Sequence, residues 1–364
     1  MLGIVNKIAP SHLAEEWDNV GLQVGDGSLP VDRIMVALDP TPDTLVAARD
    51  ADCQLLLTHH PLIFKPLSRI STSDIVGSLV IFAIRYQIAV IAAHTNYDAA
   101  TGGLNDSLAA LVGIEQAIPL RPALGNELVK LVTFVPAGHE ENVLSALYRV
   151  APQLGAYADC SFRAAGTGTF RPLAGADPFI GKVGERQEVA EYRLELLLQR
   201  SDTASAIKAL RKVHPYEEPA IDLIPLVNPT VGVGMGRIGH LLSAMPLAEF
   251  CVVVKERLGC ASLRLAGKAP AEVHKVAVCG GSGASLMRDA ARQGAQILVT
   301  GDVKYHEARE AEELGIALLD AGHFATERIM VRAMAGMVRH ALSARRLETE
   351  VIEFNAEQEP FSIV

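Results

Sequence analysis

Thiol chemistry is the first thing this sequence lacks. Its 5 cysteines are Cys53, Cys160, Cys251, Cys260 and Cys279. None is spaced as CxxC and the number is odd, which excludes a CxxC zinc or redox motif and argues against a disulfide framework. Aromatic residues make up only 5% of the chain and charged residues 21%, an unsuitable balance for a domain that coats nucleic acid. Basic charge is in deficit too. With 33 Lys+Arg against 42 Asp+Glu, the formal net charge is -9, which disfavours phosphate-backbone partners on long-range grounds. No apolar run approaches the ~20 residues that cross a bilayer. The opening MLGIVNKIAPSHLAEEWDN has no basic start followed by a sustained apolar stretch, so it does not read as a signal peptide. These absences predict a cytoplasmic chain with neither membrane nor nucleic acid as partner, whose chemistry rests on histidine and carboxylate.

What is present is apolar and periodic. Hydrophobic residues account for 49% of 364 residues, and the length is about twice that of one ordinary domain. The first third alternates strand-like runs, RIMVALD (33–39), QLLLT (54–58) and IAVIAAHT (88–95), with helical spacing over 41–51, 74–86 and near 104–112. The last third repeats that grammar with HKVAVC (274–279), QILVTGD (296–302) and IALLD (316–320), and 347–354 reads as a closing edge strand. Uninterrupted apolar strands joined by helices predict parallel sheets covered on both faces. The middle differs: strand 128–136, helix 139–151, β segments near 157–170 and 187–199, helix 203–215 and strand 218–226. That βαββαβ order is the split pattern of ferredoxin-like domains. The expected fold is α/β: a two-lobed, three-layer core formed by 1–127 and 228–364, interrupted by an inserted ferredoxin-like α+β domain at 128–227. Pro- and Gly-bearing junctions are expected at 121–127 and 227–239.

Histidines and carboxylates gather where the predicted strands end. His59 and His60 follow QLLLT, His94 and Asp98 follow IAVIAA, and His323 and Glu327 follow IALLD. Ligands of open α/β sheets collect outside the carboxyl ends of the strands, so topology would bring these groups into one crevice. His323 and Glu327, four apart at a helix start, project from one face. Imidazole with carboxylate and no thiolate suits Zn, Mn, Fe, Co or Ni, and three of these four histidines with the two carboxylates already exceed what one open catalytic metal needs. They fit two ions sharing a bridging carboxylate. Each of these groups taken singly also has a structural reading, as a cap, a packed ring or a solvated surface pair.

The turn GGSG (280–283) links a strand to a helix, and two roles fit it: a phosphate cradle through Gly281, Ser282 and Gly283, or a tight packing turn. It lacks both the Walker A and the GxGxxG pattern. GDVKYHE (301–307) offers Asp302, Lys304 and His306 either as substrate contacts or as a solvated turn. HPYEEPA (214–220) reads as a Pro-bounded structural turn.

Six segments together resemble the NIF-three-like family of dinuclear metal-centre proteins, many of them named GTP cyclohydrolase 1 type 2 homologues: EEWDNVGLQVGD (15–26), LLLTHHPLIFKPL (55–67), AAHTNYDAATGGLND (92–106), VAVCGGSGASL (276–286), ILVTGDVKYHEA (297–308) and LLDAGHFATE (318–327). The middle resembles the PII-like or CutA-like insert of the longer members. The resemblance implies two divalent metal ions per subunit held by His59, His60, Asp98, His323 and Glu327, with His94 beside them as a proton-transfer group. It also implies a toroidal homohexamer whose metal sites face an internal cavity capped by the inserts. The resulting expectation is a dinuclear-metal hydrolase of a nucleotide-like or other small polar substrate. The rival is a metal-stabilised hexameric scaffold or regulator without turnover, in which the insert senses a ligand.

Overall fold

The structure, a computed structural model, describes residues 1–123, 128–151, 156–228 and 230–362. Part of each expected junction, 124–127 and 229, lies outside the described residues. The chain divides into two compact units, one comprising Met1–Ala123 with Val231–Val364 and the other Leu124–Thr230. In chain order the strands are β1 (Gly21–Val24), β2 (Arg33–Ala37), β3 (Leu55–Thr58), β4 (Ala89–Ala92), β5 (Ile114–Pro122), β6 (Leu128–Pro136), β7 (Ser161–Phe170), β8 (Gln187–Gln199), β9 (Ile221–Pro225), β10 (Gly234–Pro246), β11 (Arg264–Gly267), β12 (Glu272–Val278), β13 (Ile297–Thr300), β14 (Ala317–Asp320) and β15 (Glu350–Glu353).

The first unit carries two mixed sheets, ordered β1-β4-β3-β2-β15 and β11-β14-β13-β12-β10-β5. In the first, β4, β3, β2 and β15 run parallel and only β1 is antiparallel to its neighbour. In the second, β12, β13 and β14 are parallel while β11, β10 and β5 join antiparallel. The parallel strands are buried along their length, as Leu55–Thr58 and Ile297–Thr300 show. Both faces of each sheet are covered. Helices Leu2–Ile8 and Ile329–Ser343 pack one side of the first sheet, and Pro42–Asp50 and Ile75–Arg85 the other. Local chemistry starts these helices where they are needed. Thr41 accepts from Thr44 N at 3.2 Å ahead of Pro42, and Asp74 accepts from Gly77 N at 2.6 Å.

The expectation of wholly parallel sheets is corrected by β1, β5, β10 and β11. These strands expose one face or an edge, so they lack the continuous apolar runs that marked the others. The second expected junction is also corrected, because from Gly234 onward the Gly-rich stretch is strand β10, paired with β5 and β12. Glycine is needed there: a Cβ on Gly236 would lie 2.9 Å from Val278 O.

The second unit runs β6, helix Glu140–Tyr148, β7, β8, helix Thr203–Val213 and β9, with an antiparallel sheet ordered β7-β8-β6-β9. Alternation along β8 sends Leu194, Leu196 and Leu198 into a core with Val143, Leu144, Leu147, Ala206 and Leu210 of the helices. No helix among the described residues is long and apolar enough to cross a membrane.

Candidate metal centre

Four histidines of the first unit share one arrangement. His59 and His60 continue the β2–β3 ladder, their amides donating to Ala37 O and Leu38 O at 3.3 and 3.0 Å. His94 precedes helix Thr95–Ala99 at the end of β4, and His323 opens helix His323–Glu327 after β14. Each ring commits Nδ1 to an acceptor: His59 to Ala93 O at 2.9 Å, His60 to Asp39 Oδ1 at 2.7 Å, His94 to Asp18 Oδ1 at 2.9 Å and His323 to Asp302 Oδ2 at 2.6 Å. A carbonyl or carboxylate can only accept, so Nδ1 carries a proton in each ring, and the neutral ring offers its Nε2 lone pair. This is the pattern of imidazoles oriented for metal binding.

The Nε2 atoms converge on buried carboxylates. Glu327 Oε2 lies 3.0 Å from His60 Nε2 and 2.8 Å from His323 Nε2, and the two nitrogens are 3.3 Å apart. His59 Nε2 sits 3.7 Å from Glu327 Oε1 and 3.6 Å from Asp98 Oδ1. Despite these approaches, His59 Nε2, Asp98 Oδ1 and Glu327 Oε2 have no aligned hydrogen-bond partner, although all three atoms are buried. Donor atoms of His60, His323 and Glu327 lie within 4.8 Å of one another, as do those of His59, His60 and His94. Convergent, desolvated lone pairs without donors are costly unless a cation lies among them. Thiolate takes no part. Cys279 is a buried thiol whose pKa burial drives up, and its Sγ faces Gly280 O at 3.5 Å. The donor set is therefore nitrogen and oxygen, which a borderline divalent ion fits.

Electrostatics point the same way. Burial, reinforced by the charge of Glu327, pushes the Asp98 carboxyl up to about 7 against the pull of His59. Burial acts likewise on Glu327, but the imidazoles of His59, His323 and His60 overcome it and hold that carboxyl well below its ordinary range. Burial lowers His60, yet Asp39 and Glu327 outweigh it and raise the ring to about 10. The close approach of Glu327 leads in raising His323 to about 9. The pocket thus attracts positive charge, and protons and metal ions would compete for it.

The structure brings His59, His60, His94, Asp98, His323 and Glu327 together, with Asp302 behind His323. Lys304 and His306 are exposed on the following segment, and neither hydrogen-bonds to the cluster. Three amides of the GGSG turn are spent inside the fold. Gly280 N donates to Asn105 Oδ1, Gly281 N to Thr326 Oγ1 and Gly283 N to Thr300 Oγ1, all at 2.9–3.0 Å, leaving Ser282 exposed. Gly281 has φ +57, and a Cβ there would collide with Glu327 Oε1, so the turn fits closely over that carboxylate.

Three participants have no assigned role in the sequence reading. Asp39, at the end of β2, orients His60, and the same strand-end logic reaches it. Asp18 sits in an irregular segment that gives no periodic signal, yet it binds His94 and accepts from Thr95 N and Oγ1. These bonds outweigh burial and lower its pKa to about 2. Glu357 accepts from the amides of Leu38 and Asp39 at 2.9 and 2.7 Å, which anchors the C-terminal segment behind β2. Beside His323 and Asp302 opens a cavity of about 830 Å³ that is also lined by Arg264, Arg328 and Phe324.

Residues 1–360 match the family described as Duf34/NIF3 (NGG1p interacting factor 3). A relative from Halalkalibacterium halodurans named GTP cyclohydrolase 1 type 2 homolog is 38% identical over 365 residues, covering 100% of this chain and 98% of its own. One of the same name from Mycobacterium tuberculosis is 39% identical over 332 residues, covering 90% and 87%. Among solved structures, a Bacillus cereus protein related to NIF3 superposes with a TM-score of 0.83 at 37% identity, covering 100% of this chain and 97% of that one.

Proposed function

This chain belongs to the Duf34/NIF3 family, and from that premise we propose that it is a metal-dependent hydrolase of a nucleotide-like or other small polar substrate. The observation that carries the reading is the convergence of four imidazoles, each with Nδ1 already committed, on the buried Asp98 and Glu327. In this proposal His59, His60, Asp98, His323 and Glu327 hold two divalent ions. Such ions supply Lewis acidity and a nucleophile at neutral pH. His94, steadied by Asp18, keeps Nε2 available to move a proton at the substrate. Arg328 offers the adjoining 830 Å³ cavity a cation for an anionic group, Arg264 being paired there with Asp320, and its size suits a nucleotide. Ser282, Lys304 and His306 are the exposed groups offered for further substrate contact, while Gly281, Gly283 and Asp302 shape the site around Glu327 and His323.

We assign 1–127 and 228–364 as two lobes of one core and 128–227 as an inserted ferredoxin-like, PII-like module. The sheet order β7-β8-β6-β9 with helix packing on one face supports that assignment. The free cysteines support a cytoplasmic setting. The test is a metal-replete screen of nucleotides, GTP included, and small phosphoesters, with Asp98→Ala as the blank. Turnover above the blank is expected, and absence of turnover on every substrate contradicts the hydrolase.

A second reading is a metal-stabilised toroidal homohexamer that acts as a scaffold. One observation favours it: the donors come from both sheets of the first unit, so an ion there ties β3 and β4 to β14. Glu327→Gln separates the two. The scaffold predicts lost assembly and a lower melting temperature, whereas the enzyme predicts intact assembly with lost turnover.

A further inference from the structure

The second unit has a cavity of its own, about 580 Å³, on the sheet face opposite its helices. Strand alternation explains what reaches it. Leu194, Leu196 and Leu198 of β8 point at the helices, so Glu191 and Arg193 point away from them. A glutamate on an uncovered sheet face should be wet, yet Glu191 is only 8% exposed. It is covered by Tyr216, whose hydroxyl donates to Oε1 at 2.6 Å and whose ring stands edge-on to Phe170 at 5.6 Å. Tyr216 is held in turn by His214. That ring accepts from Tyr216 N through Nδ1 at 3.0 Å and meets Phe134 O through Nε2 at 3.0 Å. The turn HPYEEPA is thus built to place a phenol on a buried carboxylate.

The second carboxylate oxygen, Oε2, takes no part in the Tyr216 bond and leans over Gly168, where a Cβ would collide with it. Phe134, Phe170 and Phe179 supply ring surface around the cavity. Arg193 also lines it, but its Nε is bonded to Glu195 at 2.8 Å, and Glu195 is shared with Lys130 at the same distance. Glu217, which accepts from Asp177 N at 3.1 Å, and Glu218, which faces Arg211 at 3.7 Å, also line the cavity. A buried carboxylate with Oε1 bound by Tyr216 and Oε2 not, set among aromatic faces, recognises a cation that carries an apolar body.

We propose that this cavity binds a small organic ammonium ion, with the charged nitrogen on Glu191 Oε2 and the apolar part against the phenylalanine rings. The volume lies within the range of small-molecule sites. Glu191 acts as the anchor and Tyr216 positions it.

Calorimetry on the full chain tests this, with phenethylamine as the probe and phenethyl alcohol and 3-phenylpropionate as its neutral and anionic counterparts. Saturable binding of one phenethylamine per chain is expected, with both counterparts weaker by about tenfold or more. Glu191→Gln should weaken the amine by about tenfold and leave the alcohol unchanged. Phe179→Ala removes a half-exposed ring and serves if the glutamine variant does not fold; it should weaken the amine severalfold. Absence of saturation, equal binding of the alcohol, or full affinity in both variants overturns the proposal. Tighter binding of a lysine-containing tripeptide than of the free amine also overturns it, by assigning the cavity to a peptide side chain. So does a change of oligomeric state in Glu191→Gln without amine binding, because the cavity is then an interface between copies.

Discussion

Arg237 is fully buried on β10, and every donor of its guanidinium is placed. Nε and Nη2 bond to the two Asp106 oxygens at 2.5 and 2.9 Å, and the remaining bonds go to the carbonyls of Gly234, Gly236, Ala100 and Gly232. Replacing it with Met removes the ion pair to Asp106, which keeps Gly102 N, and one donor from each of four carbonyls, so Arg237→Met should cost about 3–5 kcal/mol in urea unfolding. A cost below about 1 kcal/mol would show that water replaces the network. At this scale the sequence was informative about the metal-site candidates and silent about their supports. His59, His60, His94, Asp98, His323 and Glu327 stood out because strand ends collect ligands. Asp18 and Arg237 did not, since an acid in a loop and an arginine among glycines are ordinary sights in a linear sequence. Only the fold brings Asp18 to His94 and Arg237 to Asp106.

Among the elements, the β12–β13 connection makes a sharp prediction. Gly281→Ala forces a side chain into φ +57 and against Glu327. The variant should lose roughly 1–3 kcal/mol of stability and bind metal more weakly than the parent in a chelator competition. Unchanged affinity would mean that the turn does not support Glu327. The turn after helix Thr203–Val213 gives a pH dependence. Burial lowers the His214 pKa below its ordinary 6.5, so the unfolded chain takes up a proton there before the folded one does. Stability should therefore fall as pH drops through about 6.5 and level off below the lowered folded value. Urea midpoints measured between pH 8 and pH 5 test this, with His214→Asn expected to flatten the dependence; an identical slope in the variant contradicts it. Legibility at this scale followed burial. The parallel strands announced themselves as apolar runs, whereas β1, β5 and β11 are half-exposed and carry no such signal. The glycines of β10 resembled a linker because close packing and chain breaks use the same residue.

At the scale of the molecule, strand-end logic anticipates one crevice, and the structure forms it where the carboxyl ends of two separate sheets come together. That meeting turns two ordinary α/β edges into one site, with His59, His60, His94 and Asp98 from one sheet and His323 and Glu327 from the other. An ion shared across it, as proposed, would add folding stability by mass action, about 2.7 kcal/mol at a hundredfold excess over its dissociation constant. Chelation should accordingly lower the melting temperature of the parent and leave that of Asp98→Ala nearly unmoved. The most direct test of the proposed dinuclear centre is the metal content of the protein purified without a chelating tag and then supplied in turn with Zn, Mn, Fe, Co and Ni. The account predicts two ions per chain for at least one of these metals and a clear deficit in Asp98→Ala. Fewer than one ion per chain with every metal would contradict it.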